Sequence, residues 1–344
     1  MTVAKAGPRR RPTMRDVAAR ADVSVQTVSN LINNRVHLMG EDTRRRVEQA
    51  MADLGYHPNV AARTLRSART ETLCFLLLDE GNRFLADPMT DLIIAGIGDV
   101  ARDRGYGLLI RAARPHEPDP QLIRPLLENR ADGAFLFMSG APELRQWYIK
   151  QLGDLGFPFI LLEPTRDPKL LTVTAADREG SRTLTEHLIA KGHERIAFLT
   201  TQVPWPMLEQ RLLGYRDALK AAGLKPQVLT GGTWDPTSGA GQADRLLSGR
   251  SVPTAMMCGN DLLALGAIRA VRERGLSVPE DIAVTGFDDF DFAQFADPAL
   301  TTVRIPGYDI GMAAGRALIG VLEGDPPAQR QTVFPVTLEL RESA

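Results

Sequence analysis

One stretch near the N-terminus constrains this chain more than any other. Thr13-Met-Arg-Asp-Val-Ala-Ala-Arg-Ala-Asp-Val-Ser-Val-Gln-Thr-Val-Ser-Asn-Leu-Ile-Asn33 has the pattern of two short helices joined by a tight turn. Thr13 followed three residues on by Asp16 predicts a capping box, and Val17, Ala18 and Ala21 give the first helix an apolar face. Ala21-Asp22-Val23 makes the turn. Ser24 predicts an N-cap for a second helix from Val25 to about Asn33. Val28, Leu31 and Ile32 form its inward face; Val25, Gln26, Ser29 and Asn30 form another. A third helix is expected from about Glu41 to Leu54, with acids at its positive end and a core stripe of Val47, Ala50, Met51 and Leu54. Gly55 and Pro58 stop it. A helix-turn-helix of this kind presents its second helix to the major groove, where Gln and Asn pair with adenine and a Val methyl meets a thymine methyl.

The charge distribution agrees. The chain carries 41 Lys+Arg against 42 Asp+Glu. Residues 1–70 hold 13 of the bases and 6 of the acids, so the N-terminal part is about +7 and the remainder about −8. A basic module on an acidic body is the footprint of phosphate binding at one end only. Residues 1–12 read as a disordered basic tail. With no apolar run after the basic residues, the N-terminus does not read as a secretory signal, and no apolar run is long enough to span a membrane. The expected location is the cytoplasm. Cys74 and Cys258 suit small core residues near strands, since two cysteines build no disulfide framework and match no metal spacing.

From Thr72 onward, apolar runs alternate with helical patterns. Strands are expected at 73–78, 107–110, 133–138, 159–162, 196–200, 254–258 and 282–287, and helices at 89–104, 180–191, 211–222, 261–274 and 308–322. Such alternation gives an α/β body of parallel sheets with helices on both faces. Ligands then bind beyond the carboxyl ends of the strands. Gly259-Asn260-Asp261 closes one strand and opens a helix, and Gly286-Phe287-Asp288-Asp289 closes the next. Arg211 is expected to begin a helix after Thr200-Thr201, and Trp234 to follow a strand end. An indole, a guanidinium, an amide and a carboxylate at converging loops suit a polyhydroxylated ligand. Each has a structural alternative: Asn260 or Asp261 as a helix cap, Trp234 as core, Arg211 as helix surface, Asp288 as a turn former. No phosphate-binding loop, H-E-x-x-H, G-x-S-x-G or dinucleotide fingerprint is present. The five histidines are scattered. An enzyme and a cofactor are not expected.

Asp16-Val-Ala18, Val23-Ser-Val-Gln-Thr-Val-Ser29 and Leu54-Gly-Tyr-His-Pro-Asn59 resemble the LacI/GalR family of bacterial transcription regulators, and the resemblance spans residues 13 to about 335. It implies an N-terminal helix-turn-helix DNA-binding module and a two-lobed periplasmic-binding-protein-like body. On that basis the organisation is a DNA-binding domain at 13–58, a hinge helix and linker at 59–70, a first lobe at 71–174 and 306–333, and a second lobe at 175–305 and 334–344. The resemblance implies DNA contacts from Thr13, Ser24, Val25, Gln26, Thr27, Ser29, Asn30, Asn33, Tyr56 and Asn59. Ala62, Leu65 and Arg66 would belong to the hinge, with Leu65 as a minor-groove wedge. Most members carry Arg where this chain has Asn30, so the usual operator is not carried over base for base. In the body, Arg211, Asn260 and Asp288 match effector-binding positions, and Trp234 resembles the aromatic of sugar-responsive members. Phe84, Asp87, Met138 and Glu163 fall at first-lobe strand ends. The loop Asp79–Pro88 is built differently from the family's usual one. The implied protein is an allosteric, homodimeric repressor of operator DNA controlled by a small carbohydrate. The alternative is the same architecture answering to a purine or nucleoside, or using its ligand as corepressor. No leucine heptad extends the C-terminus, which favours a dimer over a tetramer.

Overall fold

A computed structural model describes residues 12–32, 35–56, 69–80, 85 and 87–344. Residues 1–11 of the expected basic tail, residues 59–68 of the expected hinge segment, and the candidate residues Asn33, Asn59, Ala62, Leu65, Arg66 and Phe84 lie outside the described residues. The chain divides into two compact units, 1–70 and 71–344.

In the N-terminal unit, helix α1 (Met14–Ala21) begins with the capping box: Asp16 N–H donates to Thr13 Oγ1, and Thr13 N–H donates to Asp16 Oδ2 at 2.7 Å. Asp22 ends the helix in the left-handed region, turning the chain sharply into α2 (Val25–Ile32). A 3-10 turn at Val36–Leu38 precedes α3 (Glu41–Leu54), which Gly55 closes with a left-handed cap. Val17, Ala18, Ala21, Val28, Val47, Ala50 and the ring of Tyr56 form the core of this small unit.

The body contains two parallel sheets. The first holds β1 (Thr72–Leu78), β2 (Gly107–Ala113), β3 (Gly133–Met138), β4 (Phe159–Leu161), β5 (Thr172–Ala175) and β11 (Gln331–Phe334), in the order β11-β5-β4-β3-β1-β2. The second holds β6 (Ile196–Thr200), β7 (Gln227–Thr230), β8 (Ala255–Cys258) and β9 (Ala283–Thr285), in the order β7-β6-β8-β9. A ribbon of β10 (Thr302–Arg304) and β12 (Thr337–Glu339) pairs antiparallel. The chain passes between sheets after β5, after β10 and after β11, so three strands cross the waist of the body. The buried C-terminal Ser343 hydrogen-bonds Val284 through both its backbone carbonyl and its hydroxyl, anchoring the end of the chain to the second sheet.

The helices are α4 (Pro88–Asp103), α5 (Pro120–Leu127), α6 (Pro142–Asp154), α7 (Asp177–Ala190), α8 (Pro206–Ala221), α9 (Pro236–Leu247), α10 (Asp261–Glu273) and α11 (Gly307–Glu323). Five of them open with proline in the first turn, where a missing N–H costs nothing. Helix α8 starts at Pro206, so Arg211 sits in its second turn and does not begin it. α4 and α11 pack closely enough that a Cβ on Gly96 would overlap the carbonyl oxygen of Tyr308. Cys74 and Cys258 are buried in β1 and β8, and burial pushes the Cys74 thiol up to about 12. No helix among the described residues is long and apolar enough to cross a membrane.

Candidate functional site

On α2 the exposed face is Val25, 39% exposed, with Gln26 beside it and half-buried Asn30 one turn on. Gln26 Nε2 donates to Asn30 Oδ1 at 3.0 Å. Ser29 is not on this face: it is buried, because its position on the helix turns it toward the core with Val28. The ring of Tyr56 is likewise core. The hydroxyls of Thr13, Ser24 and Thr27 are engaged at helix starts; Ser24 Oγ accepts from Thr27 N–H at 3.1 Å.

In the body, Arg211 is the centre of a buried node. Its Nε donates to Asp177 Oδ1, its Nη1 to the Gly259 carbonyl and its Nη2 to Asp288 Oδ1, each at 2.7 Å. Its guanidinium lies 4.0 Å over the centre of the Phe287 ring. Three of its five donors are thus held by the protein. Burial works against the Arg211 charge, but Asp288 and Asp177 outweigh it and raise its pKa. Burial raises both carboxylates, with Arg211 opposing, and the negative charges of Asp261 and Asp87 push Asp288 the same way as burial. Asp288 takes a positive φ of 110° at the turn after β9. That costly backbone is held by Asp288 N–H to the Val303 carbonyl and by Asp289, which accepts from Arg304 and Arg341.

Asn260 caps α10: its Oδ1 accepts from Leu263 N–H at 2.9 Å. Asp261 follows it, fully buried, accepting from Thr302 Oγ1 at 2.6 Å and Phe290 N–H at 2.8 Å, and burial lifts it to about 7. Trp234 packs against Gly259 and meets Trp205 edge-on at 6.5 Å. Trp205 in turn lies 4.9 Å from Phe137 of the first lobe. Asp87 caps α4 through Thr90. Glu163 is buried with its Oε2 lacking a hydrogen-bond partner; Arg145 Nε stands 3.7 Å away, and burial lifts the carboxyl to about 7 despite that charge.

Met138 does not reach this site. β3 alternates, sending Leu136 and Met138 into the cluster under α5 and α6 while Phe137 points the other way, into the cleft. The residues that the sequence reading missed are Phe137, Arg145, Asp177 and Trp205. Only Trp205 carried a local signal, an aromatic flanked by two prolines in the loop after β6.

The lobes touch along this line. Gly140 N–H donates to the Pro204 carbonyl at 2.9 Å, and Arg145 lies 4.0 Å from Glu209. Gly140 has φ +99°, and a Cβ there would strike Pro115, so only glycine fits. Between the lobes, Met89, Phe137, Leu162, Asp177, Arg211 and Ile305 enclose a cavity of about 30 Å³. A larger groove of about 290 Å³ between α11 and strands β5 and β11 gathers none of these residues.

Residues 13–59 match the bacterial regulatory proteins of the lacI family, and residues 185–344 match the periplasmic binding protein-like domain. The transcriptional regulator RegA of Clostridium saccharobutylicum is 33% identical over 339 residues, covering 96% of this chain and 98% of that protein. The transcriptional repressor CytR of Escherichia coli is 31% identical over 334 residues, covering 96% of each. Among solved structures, the Lac repressor dimer bound to operator and the anti-inducer ONPF is 28% identical, covers 97% of this chain and 99% of that one, and has a TM-score of 0.85. The CelR–cellobiose complex is 29% identical, covers 97% and 100%, and has a TM-score of 0.71. The chain belongs to the LacI family: it is a transcription regulator with a helix-turn-helix DNA-binding module and a periplasmic-binding-protein-like α/β body.

Proposed function

We propose that this chain is a repressor that holds operator DNA as a homodimer and is controlled by a small carbohydrate bound between its lobes. The observation that carries the ligand reading is the Arg211 node. A buried guanidinium fixed by Asp177, Gly259 and Asp288 keeps two further N–H donors, and Trp234 packs against Gly259, one of its three anchors. Charged donors and acceptors in fixed geometry suit vicinal hydroxyls, and the Trp234 face suits a sugar's C–H surface. Asn260, Asp87 and the buried Glu163 carboxylate would add polar contacts.

The cavity of about 30 Å³ is far below the roughly 300 Å³ of a small-molecule site, so the lobes must part to admit a sugar ring. Contacts such as Gly140 to Pro204 would then be exchanged for contacts through the ligand. Ligand-dependent lobe geometry would then lower the affinity of the dimer for its operator. Cellobiose in the CelR complex supports a sugar; a purine or nucleoside effector, or a corepressor, is the alternative.

The test has two stages. A bound sequence is first selected from randomised duplex DNA. Its release is then followed by fluorescence anisotropy against panels of mono- and disaccharides, purines and nucleosides. Release by a sugar supports the reading; release or tightening by a nucleoside alone moves the protein to the alternative.

A further inference from the structure

Gln26 and Asn30 lie four residues apart on α2, one above the other, and their side-chain amides are joined by the 3.0 Å bond from Nε2 to Oδ1. Val25 completes this exposed face, while Val28 and Ser29 turn inward. An arginine at position 30 would offer only donors, matched to the two acceptors of guanine. Asparagine is shorter, and here its oxygen is already engaged by Gln26. Gln26 keeps its own carbonyl oxygen as acceptor and a second N–H as donor. The oxygen can accept from the N6 amino group of adenine while the N–H donates to its N7 in the major groove.

We propose that Asn30 sets sequence preference by positioning Gln26, so that the two residues read one adenine as a unit. The inference rests on the reading of α2 as the DNA-facing helix. Gln26 has three side-chain torsions, and an unrestrained amide presents its edge in many directions. The bond to Asn30 restrains those torsions on the exposed face of the helix. Such a bond is weak on a wet helix surface, but it strengthens once the duplex covers it and excludes water. Asn30 is on this account a positioning residue.

The experiment uses the full chain and a duplex pool randomised over roughly two helical turns. Bound DNA is sequenced for wild type, Gln26→Ala, Asn30→Ala, Asn30→Asp and the Gln26→Ala/Asn30→Ala double variant, with binding to unselected DNA as the folding control. Wild type should enrich adenine at one position in each half-site. Gln26→Ala and Asn30→Ala should each reduce that preference at the same position by about five- to a hundredfold. The double variant should be no worse than either. Asn30→Asp keeps the acceptor, so it should weaken binding to every sequence yet retain the relative preference for adenine. Two results overturn the inference while sparing DNA recognition by α2: Asn30→Ala altering a different base position, or Asn30→Asp losing the adenine preference. A wild type that enriches no sequence overturns both.

Discussion

Arg211 and Glu163 are buried ionisable side chains in the cleft whose environments make testable predictions. Arg211 links carboxylates 34 and 77 residues away, and it is 2% exposed. Removing one partner of a buried ion cluster leaves the others uncompensated, which costs about 3–5 kcal/mol. Arg211→Ala is therefore expected to lower the stability of the body by about that amount as well as to abolish the ligand response. Urea unfolding followed by tryptophan fluorescence checks it, since Trp205 and Trp234 both report on the cleft; an unchanged midpoint would show that the carboxylates simply protonate. Glu163 makes a pH prediction. Burial raises it from 4.5 to about 7. An acid with a folded pKa above its unfolded one stabilises the fold fully at low pH and loses that contribution as pH rises through the interval to about 7. Glu163→Gln should melt above the parent by a margin that grows from about pH 5 to about pH 8 and reaches a few degrees. A margin independent of pH would place Glu163 among ordinary carboxylates.

At the scale of elements, two glycines on α4 separate packing from propensity. Gly96 faces the backbone of α11, where a Cβ has no room; Gly98, two residues on, has nothing within 4 Å. Gly96→Ala should destabilise the body by about 1–3 kcal/mol through overpacking. Gly98→Ala should stabilise it by about 0.5–1 kcal/mol through helix propensity alone. Thermal melts of the two variants give opposite signs if α4 and α11 cross as described. The same logic governs β3, where a one-residue difference in phase decides that Phe137 and not Met138 enters the cleft.

For the whole molecule, the prediction is thermodynamic. If a ligand in the cleft weakens operator binding by some factor, operator must weaken ligand binding by the same factor. Calorimetric titration of the ligand with and without the selected duplex measures the second factor, and anisotropy measures the first. Unequal factors would mean that the ligand acts by competing for DNA or by changing the oligomeric state, outside a simple coupling of two sites.

The helix-turn-helix and the strand–helix alternation were legible in the chain itself because their determinants are local. Thr13 and Asp16 form a cap within one turn, Gly55 ends a helix by its own conformational freedom, and α3 runs from Glu41 to Leu54 as its charges and apolar stripe require. Arg211, Asp288 and Asn260 stood out for the same reason, as polar residues at the ends of apolar runs. The tertiary structure decided what each of them meets. Asp177 joins Arg211 only because the chain crosses from β5 into α7 at the waist of the body, and Trp205 meets Phe137 only because two lobes close on each other. Ser29 and Tyr56 turn inward because three helices share one small core. Spacing along a chain specifies a face of a helix or strand; which face is covered depends on long-range packing, and no single segment contains that information.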